Sequence, residues 1–402
     1  MFGHICTDIN QGALPAILPF LVANNNISYA SAAGLVFAAS SVSSLVQPLC
    51  GYFGDKVSWP WLMGLGVLLA GGGLAMIGFL DNYWAIFFAV MLSGIGIALF
   101  HPEGGKIANV VAGEKKGTGM SIFAVGGNIG FSIGPILASV ALTAWGLRGT
   151  VIFLVPAVIM ALVIFARIKT LREFSAHNAK KNQTAGQAQK DNWPAFALVS
   201  TGITFRSIMG YGLTTFIPLY FIGVLAQTEV AASGSLTLYA IIGAVATLLG
   251  GRLADRFGFN RIIRIAFTAL VPLLLIFSVS NNVYFATFML VPIAFAMSGA
   301  HSTMIVLGQG FLPNRVGLSS GIMLGLTVSI GGMLAPVIGW VGDNYGLPAA
   351  MYTITGVAVL ALVIAYLIPN PDKLKKGAPA ASVEAVQAVA TSEASQGAEP
   401  RL

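Results

Sequence analysis

Apolar runs of about 20 residues, divided by short polar connections, fill the chain almost to its end. A run of that length suits a helix crossing roughly 30 Å of hydrocarbon, whereas barrel strands would alternate over about ten residues. Six helices are expected in the first half: Met1 to Val22, Ser31 to Phe53, Trp59 to Leu80, Tyr83 to Val110, Thr118 to Trp145 and Thr150 to Lys169. Six more are expected at Pro194 to Val224, Ala231 to Ala254, Arg261 to Ser280, Val283 to Gln309, Gly317 to Gly342 and Pro348 to Ile368. The expected organisation is therefore an N-terminal six-helix bundle over 1–170, a polar linker over 171–192 and a C-terminal six-helix bundle over 193–368. Residues 369–402 hold Ala, Gln, Ser and Glu without an aromatic residue, the composition of a disordered tail.

The polar interruptions repeat. Gly51-Tyr52-Phe53-Gly54-Asp55-Lys56 closes the second run, and Gly251-Arg252-Leu253-Ala254-Asp255-Arg256 closes the eighth, 200 positions later. His101 and His301 share that offset, as do Gly117 and Gly317. Pro135, in Gly130-(x3)-Gly134-Pro135, meets Pro336, in Gly331-(x3)-Ala335-Pro336, one position further on. Four landmarks in one order imply two homologous halves.

Composition excludes a soluble globule: only 9% of the 402 residues are charged and 56% are hydrophobic, where a soluble domain carries roughly 25% charged. The net charge of +7 does not indicate nucleic acid, because the basic residues keep to alternate connections. Lys56, Lys115, Lys116, Arg167, Lys169, Arg172, Lys180, Lys181, Lys190, Arg256, Arg261, Arg315, Lys373, Lys375 and Lys376 fall in even-numbered connections or the tail, against Arg148 on the other side. Positive residues stay inside, so both termini and the linker are expected in the cytoplasm. Cys6 and Cys50 lie within apolar runs and read as small packing residues. The first segment contains Asp8 and lacks a basic leader, so it reads as a retained helix. No nucleotide loop or nucleophile–base constellation is present, and the expectation is a protein that is not an enzyme and takes no cofactor or metal.

Ionisable groups inside apolar runs carry the chemistry. Asp8 facing the bilayer centre would cost roughly 2.5–3.5 kcal/mol, so it is expected to face a cavity or a partner. His4, Asp8 and Gln11 recur at helical spacing on one face. Matching Pro19 to Pro218 sets Arg206 beside the counterpart of Asp8, which gives an acid and a base on helices 1 and 7, either as a structural pair or as a site where substrate competes for Arg206. Helix 4 ends in Phe100-His101-Pro102-Glu103, and imidazole titrates near neutral pH, so His101 and Glu103 are candidates for a proton relay or for helix-end capping. His301 stands at the matching depth without the acid. Small residues every fourth position at Gly130 and Gly134, followed by Pro135, suit a close helix contact and a bend.

The paired Asp-basic elements resemble the signature of the major facilitator superfamily, Gly-(x3)-Asp-(Arg or Lys)-x-Gly with following basic residues. Gly251, Asp255, Arg256, Gly258 and Arg261 match it, while the first copy keeps Gly51, Asp55 and Lys56 but reads Val57-Ser58-Trp59-Pro60 afterwards. That departure bears on the strength of the first lock between helices. The resemblance implies an all-α membrane fold of twelve helices in two pseudosymmetric bundles, with Asp55 and Asp255 gating one access state. The helix 5 segment looks like the glycine-proline motif that the superfamily associates with antiport, though Ala138-Ser139 replace its last glycines.

Gly3-His4 through Asp8 and Gln11, Gln47-Pro48, Phe100-His101-Pro102-Glu103, Phe205-Arg206-Ser207 and Gly317-Leu318-Ser319-Ser320-Gly321 are similar to the fosmidomycin-resistance branch of that superfamily. The resemblance implies proton-driven export of a small, anionic organic compound or drug of the fosmidomycin type from a bacterial inner membrane. Its partners would be that substrate, protons and membrane lipid, with no nucleic acid and one chain acting alone. Two other readings stay open. One is a symporter importing an organic acid with protons; the other is a membrane sensor that binds without turnover.

Overall fold

A computed structural model describes residues 1–25, 27, 29–57, 59–174 and 190–370. Most of the linker, including Lys180 and Lys181, and the tail from 371, including Lys373, Lys375 and Lys376, lie outside the described residues. Helices are the only regular elements among those described, as hydrocarbon demands of a chain whose peptide groups have no water to bond.

The first half comprises α1 (Phe2–Asn25), α2 (Tyr29–Lys56), α3 (Trp61–Met76), α4 (Tyr83–Val111), α5 (Lys116–Trp145) and α6 (Leu154–Ala166). The second comprises α7 (Trp193–Gly223), α8 (Glu229–Phe257), α9 (Phe259–Ser278), α10 (Val283–Gly299), α11 (His301–Phe311), α12 (Val316–Gly321), α13 (Thr327–Tyr345) and α14 (Leu347–Leu367). By length and composition, 10 helical stretches among the described residues are able to cross a membrane. One of them, Lys116–Ala166, contains both α5 and α6. The expected tenth helix is divided at Ala300 into α10 and α11, and the expected eleventh is interrupted by a π-helical segment at Ile322–Leu326.

Polar residues start the helices where the runs begin. Asn82 accepts from the N–H of Trp84 and Ala85, at 2.8 and 3.3 Å, and Asn282 accepts from Phe285 N–H at 3.1 Å. These caps stand 200 positions apart, so the repeat extends to the connections. Outward surfaces are apolar, as at Phe88, Leu162 and Tyr284, which suits lipid as the surrounding solvent.

Within each half, small residues bring two helices to backbone contact. A Cβ on Gly130 would meet the Ile5 carbonyl and stand 3.1 Å from Asp8 Cβ, and one on Gly134 would meet the Ile9 carbonyl, so α5 lies directly on α1. In the second half, a Cβ on Gly331 of α13 would stand 2.6 Å from Ser207 Cβ of α7. Gly130 thus meets Asp8 as Gly331 meets Ser207, the correspondence that the Pro19–Pro218 match expects. Pro135 lies inside α5 and Pro336 inside α13.

The halves join mainly near one end, the end bearing the Asp-basic loops. There α2 packs on α12 and the π segment, α5 on α8, and α4 on α12. Toward the other end, α1 and α7 share no extended contact among the described residues.

Candidate functional site

Asp8 lies in the first half of α1, where the α5 glycines admit it to the bundle interior. Its Oδ2 is 3.1 Å from His4 Nε2, one turn earlier, and its Oδ1 is 3.2 Å from His101 Nε2 on α4. The two Nε2 atoms are themselves 3.1 Å apart. All three residues are buried, at 4% for His4, 8% for Asp8 and 5% for His101.

Hydrogen bonding on the far side of each ring fixes what these atoms are. His4 Nδ1 lies 2.7 Å from the Phe123 carbonyl, and His101 Nδ1 lies 2.9 Å from the Ile97 carbonyl. A carbonyl only accepts, so each Nδ1 carries a hydrogen and each neutral ring presents a lone pair at Nε2. Two lone pairs and a carboxylate then face one another across about 3 Å, three acceptors with no donor. A further proton or another cation is needed to reconcile them. The same ligand atoms fall within 4.8 Å of one another, a spacing that a small metal ion also accepts.

The triad is stiffly framed. His4 stacks on the Phe123 ring with centroids 4.1 Å apart. Gly127 of α5 faces the pair directly: a Cβ there would stand 2.6 Å from His4 Cε1 and 2.8 Å from Asp8 Oδ2. Gly127→Ala is therefore expected to push His4 off the Phe123 carbonyl and to lower transport at least tenfold, within the range of a one-ångström misplacement. The check is uptake into proteoliposomes at matched protein insertion. Unchanged uptake would show that the glycine contact does not position the triad.

Of the two readings of Asp8 and Arg206, the direct ion pair is not formed here: the histidines occupy the carboxylate, and α1 and α7 share no extended contact among the described residues. Arg206 of α7 instead donates from Nε to the Met297 carbonyl at 3.0 Å, and it has no carboxylate partner among the described residues. His301, half-buried at the start of α11, lies within the electrostatic reach of both Arg206 and His4. Tyr211 of α7 stands within reach of the Asp8 charge, and buried Tyr239 of α8 neighbours Arg206. Gln11 is half-buried on α1. The first half thus presents an acid with two imidazoles, and the second a guanidinium with an imidazole and two phenols.

Nor does Glu103 join His101 in a relay. Two residues on in a helix, it points elsewhere: its Oε2 is 3.7 Å from Lys106 Nζ, and that ammonium donates to the Gly54 carbonyl at 2.6 Å. Glu103 and Lys106 brace the first Asp-basic loop.

Both loops lock onto helix starts of the opposite half. Asp55 accepts from Gly317 N–H at 2.7 Å and Leu318 N–H at 2.8 Å, at the beginning of α12. Asp255 accepts from Gly117 N–H at 2.7 Å, Thr118 N–H at 2.8 Å and Thr118 Oγ1 at 2.7 Å, at the beginning of α5. Each carboxylate neutralises the positive end of a helix and satisfies donors that no helical carbonyl reaches. Backbones touch beside them, Gly51 against Gly317 and Gly251 against Gly117, with no room for a Cβ at either crossing.

The first lock holds despite its missing glycine and basic residues. Lys56 lies 4.4 Å over the Tyr52 ring, and Arg315 lies 5.9 Å over the same ring while its Nε pairs with Asp191 Oδ2 at 3.2 Å. In the second loop Gly258 adopts φ +91, which ends α8, and Arg256 lies 5.2 Å over Phe257. Arg261 forms no ion pair among the described residues. Sequence reasoning missed the bracing role of Lys106 and the third bond from Thr118. The residue after the repeated glycine, Thr118 against Leu318, was the available signal for the latter.

A family model described as Major Facilitator Superfamily matches residues 1–336. The chain is 28% identical over 376 residues to the fosmidomycin resistance protein of Escherichia coli K12, covering 92% of each chain. It is 29% identical over 161 residues, 38% of its length, to the multi-drug resistance efflux pump PmrA of Streptococcus pneumoniae, covering 39% of that protein. Among solved structures, the transporter FucP in its outward conformation is similar with a TM-score of 0.68 at 15% identity, covering 92% of this chain and 98% of that one.

Proposed function

The chain belongs to the major facilitator superfamily, and from that membership we propose that it is a twelve-helix secondary transporter exporting a small organic anion in exchange for protons. The observation that carries this reading is the pair of unlike groups in the two halves: a three-acceptor cluster able to hold a proton in the first, and in the second a guanidinium without a carboxylate among the described residues. The basic residues at the loop end make that end cytoplasmic, with both termini inside a bacterial inner membrane. Residues 1–170 and 193–368 act as the two rocking bundles, and each chain carries the whole site.

In the arrangement described, the loop end is closed. The triad then takes its proton from the side opposite the cytoplasm, through the space between α1 and α7. Rocking of the halves breaks the Asp55 and Asp255 locks, turns the site toward the cytoplasm, and lets the proton leave before the anion binds at Arg206, with His301 and the tyrosines beside it. The names of the relatives, fosmidomycin resistance and multi-drug efflux, favour outward movement and a drug-like cargo of the phosphonate kind.

One observation favours a second reading. The triad and Arg206 share no ion pair, so a proton on the triad adds positive charge to the cavity and helps an anion to bind, which suits co-transport by a symporter. The discriminating experiment uses proteoliposomes that report internal pH, supplied with fosmidomycin as the probe anion. Proton movement opposite to anion flux is expected, with anion-dependent flux lost in Arg206→Ala. Movement in the same direction would replace exchange by co-transport. Binding of fosmidomycin without any flux would replace transport by sensing.

A further inference from the structure

Asn109 of α4 and Gln309 of α11 stand 200 positions apart, the offset of the internal repeat, and their side chains bond to each other. Asn109 Nδ2 donates to Gln309 Oε1 at 2.5 Å. Residues related by a two-fold axis can touch each other only at that axis. In a carrier built of two parallel repeats the axis runs along the membrane normal, between the halves and through the transport pathway. The bond therefore crosses the middle of the pathway, on the closed side of the triad.

The surroundings make this contact a complete polar chain. Both residues are buried, at 5% and 2%. Lys116 Nζ donates to Asn109 Oδ1 at 2.8 Å, and Gln309 Nε2 donates to Ser320 Oγ at 2.8 Å and to the Gly105 carbonyl at 3.4 Å. Ser320 passes its own hydrogen to the Val316 carbonyl at 2.7 Å. A cation thus enters at one end and polarises a run of aligned donors. The run is one-directional because the repeat is broken there: position 116 is Lys, and its counterpart is Val316.

We propose that Asn109 and Gln309 form the axial gate of the pathway at the loop end, distinct from the two peripheral aspartate locks. No cargo passes while the bond is made. When the halves part, water replaces each partner, so the gate opens without leaving an unsatisfied amide; while the halves are closed, each amide depends on the other. Removing one partner alone therefore penalises only the closed state. The inference rests on alternating access.

The test is pulsed electron spin distance measurement on the full chain in lipid nanodiscs, with Cys6 and Cys50 replaced by Ser. One spin-label pair, at Glu114 and Phe257, spans the loop end, and another, at Asp81 and Asn281, spans the opposite end; all four positions are exposed. A step from about pH 8 to about pH 6, across the imidazole range, serves as the driving signal. In Asn109→Leu, the loop-end distances are expected to lengthen and the opposite-end distances to shorten, with the open-to-closed ratio at the loop end raised about tenfold. Asn109→Leu/Gln309→Leu orphans neither amide but takes Asn109 Oδ1 from Lys116, so it should recover part of the shift, and the swap Asn109→Gln/Gln309→Asn should match the parent. Single variants with parent-like distances, while the parent still responds to pH, overturn the gate and leave alternating access standing. A parent whose distances never respond to pH or to added fosmidomycin overturns both. Broadening of both distributions without the reciprocal shift marks misfolding, and the amide swap then decides: parent-like distances support the gate, and leucine-like distances refute it.

Discussion

Asp8→Asn is expected to abolish proton movement while preserving exchange of anion for anion. The reason lies in the donor count. With Asp8 ionised, the cluster holds two lone pairs and a carboxylate within 3.2 Å, and an added proton or other cation is needed to reconcile them. The asparagine amide brings its own hydrogens to the same place and can donate to Nε2 of His4 or His101. The cluster is then satisfied with no proton to acquire or release. Its volume is unchanged, so the α1–α5 contact and Arg206 on α7 should remain as they are. Proton flux should fall at least a hundredfold, beyond the loss of a single hydrogen bond, because the carried ion has no site. The measurement is paired: internal pH for proton movement, and counterflow of labelled fosmidomycin for exchange. Persistent proton flux would place the coupling group elsewhere. Loss of counterflow as well would show that Asp8 holds the fold of the site rather than the proton.

Asp255→Ala should shift the protein from closed to open at the loop end by roughly a hundredfold, and Asp55→Ala by about tenfold, on the net value of charge-assisted hydrogen bonds. The difference follows from geometry: Asp255 accepts three bonds and Asp55 two, both at helix N-termini where no other acceptor is supplied. Lys106, tied to the Gly54 carbonyl, also keeps the first loop placed after its aspartate is lost. Ser302→Cys provides the readout in the background without Cys6 and Cys50. Ser302 is fully buried at the junction of the halves, 3.2 Å from Ser121 across it. A membrane-impermeant maleimide added on the loop side should label it slowly in the parent, faster in Asp55→Ala and fastest in Asp255→Ala. Equal labelling in all three would mean that the aspartates do not hold this end shut. Transport should fall in both variants, since a carrier resting open on one side spends little time returning.

The glycine and proline positions were legible in the sequence because backbone contact leaves few alternatives. Gly130 and Gly134 announced a close helix partner by spacing alone, and the repeat indicated which helix would play that part in each half. The 200-residue offset also led to both aspartate loops, and in the structure each carboxylate meets the helix start that the repeated Gly117 and Gly317 mark. The same offset contained the Asn109–Gln309 pair, which went unread because an isolated Asn and Gln resemble any polar residue near a helix end.

The sequence by itself determined an all-helical membrane chain, its two related halves, and the identity of the intramembrane groups Asp8, His4, His101 and Arg206, because insertion in hydrocarbon penalises every polar side chain that lacks a purpose. Tertiary structure decided the partners. Helical periodicity fixes which face a residue occupies but not which helix arrives opposite, and that depends on how the helices pack together. Asp8 therefore pairs with two histidines of its own half and not with Arg206, and Glu103 turns to Lys106 and not to His101. Those choices are set by the close α1–α5 contact and by closure of the halves at the loop end, neither of which is written in any single segment.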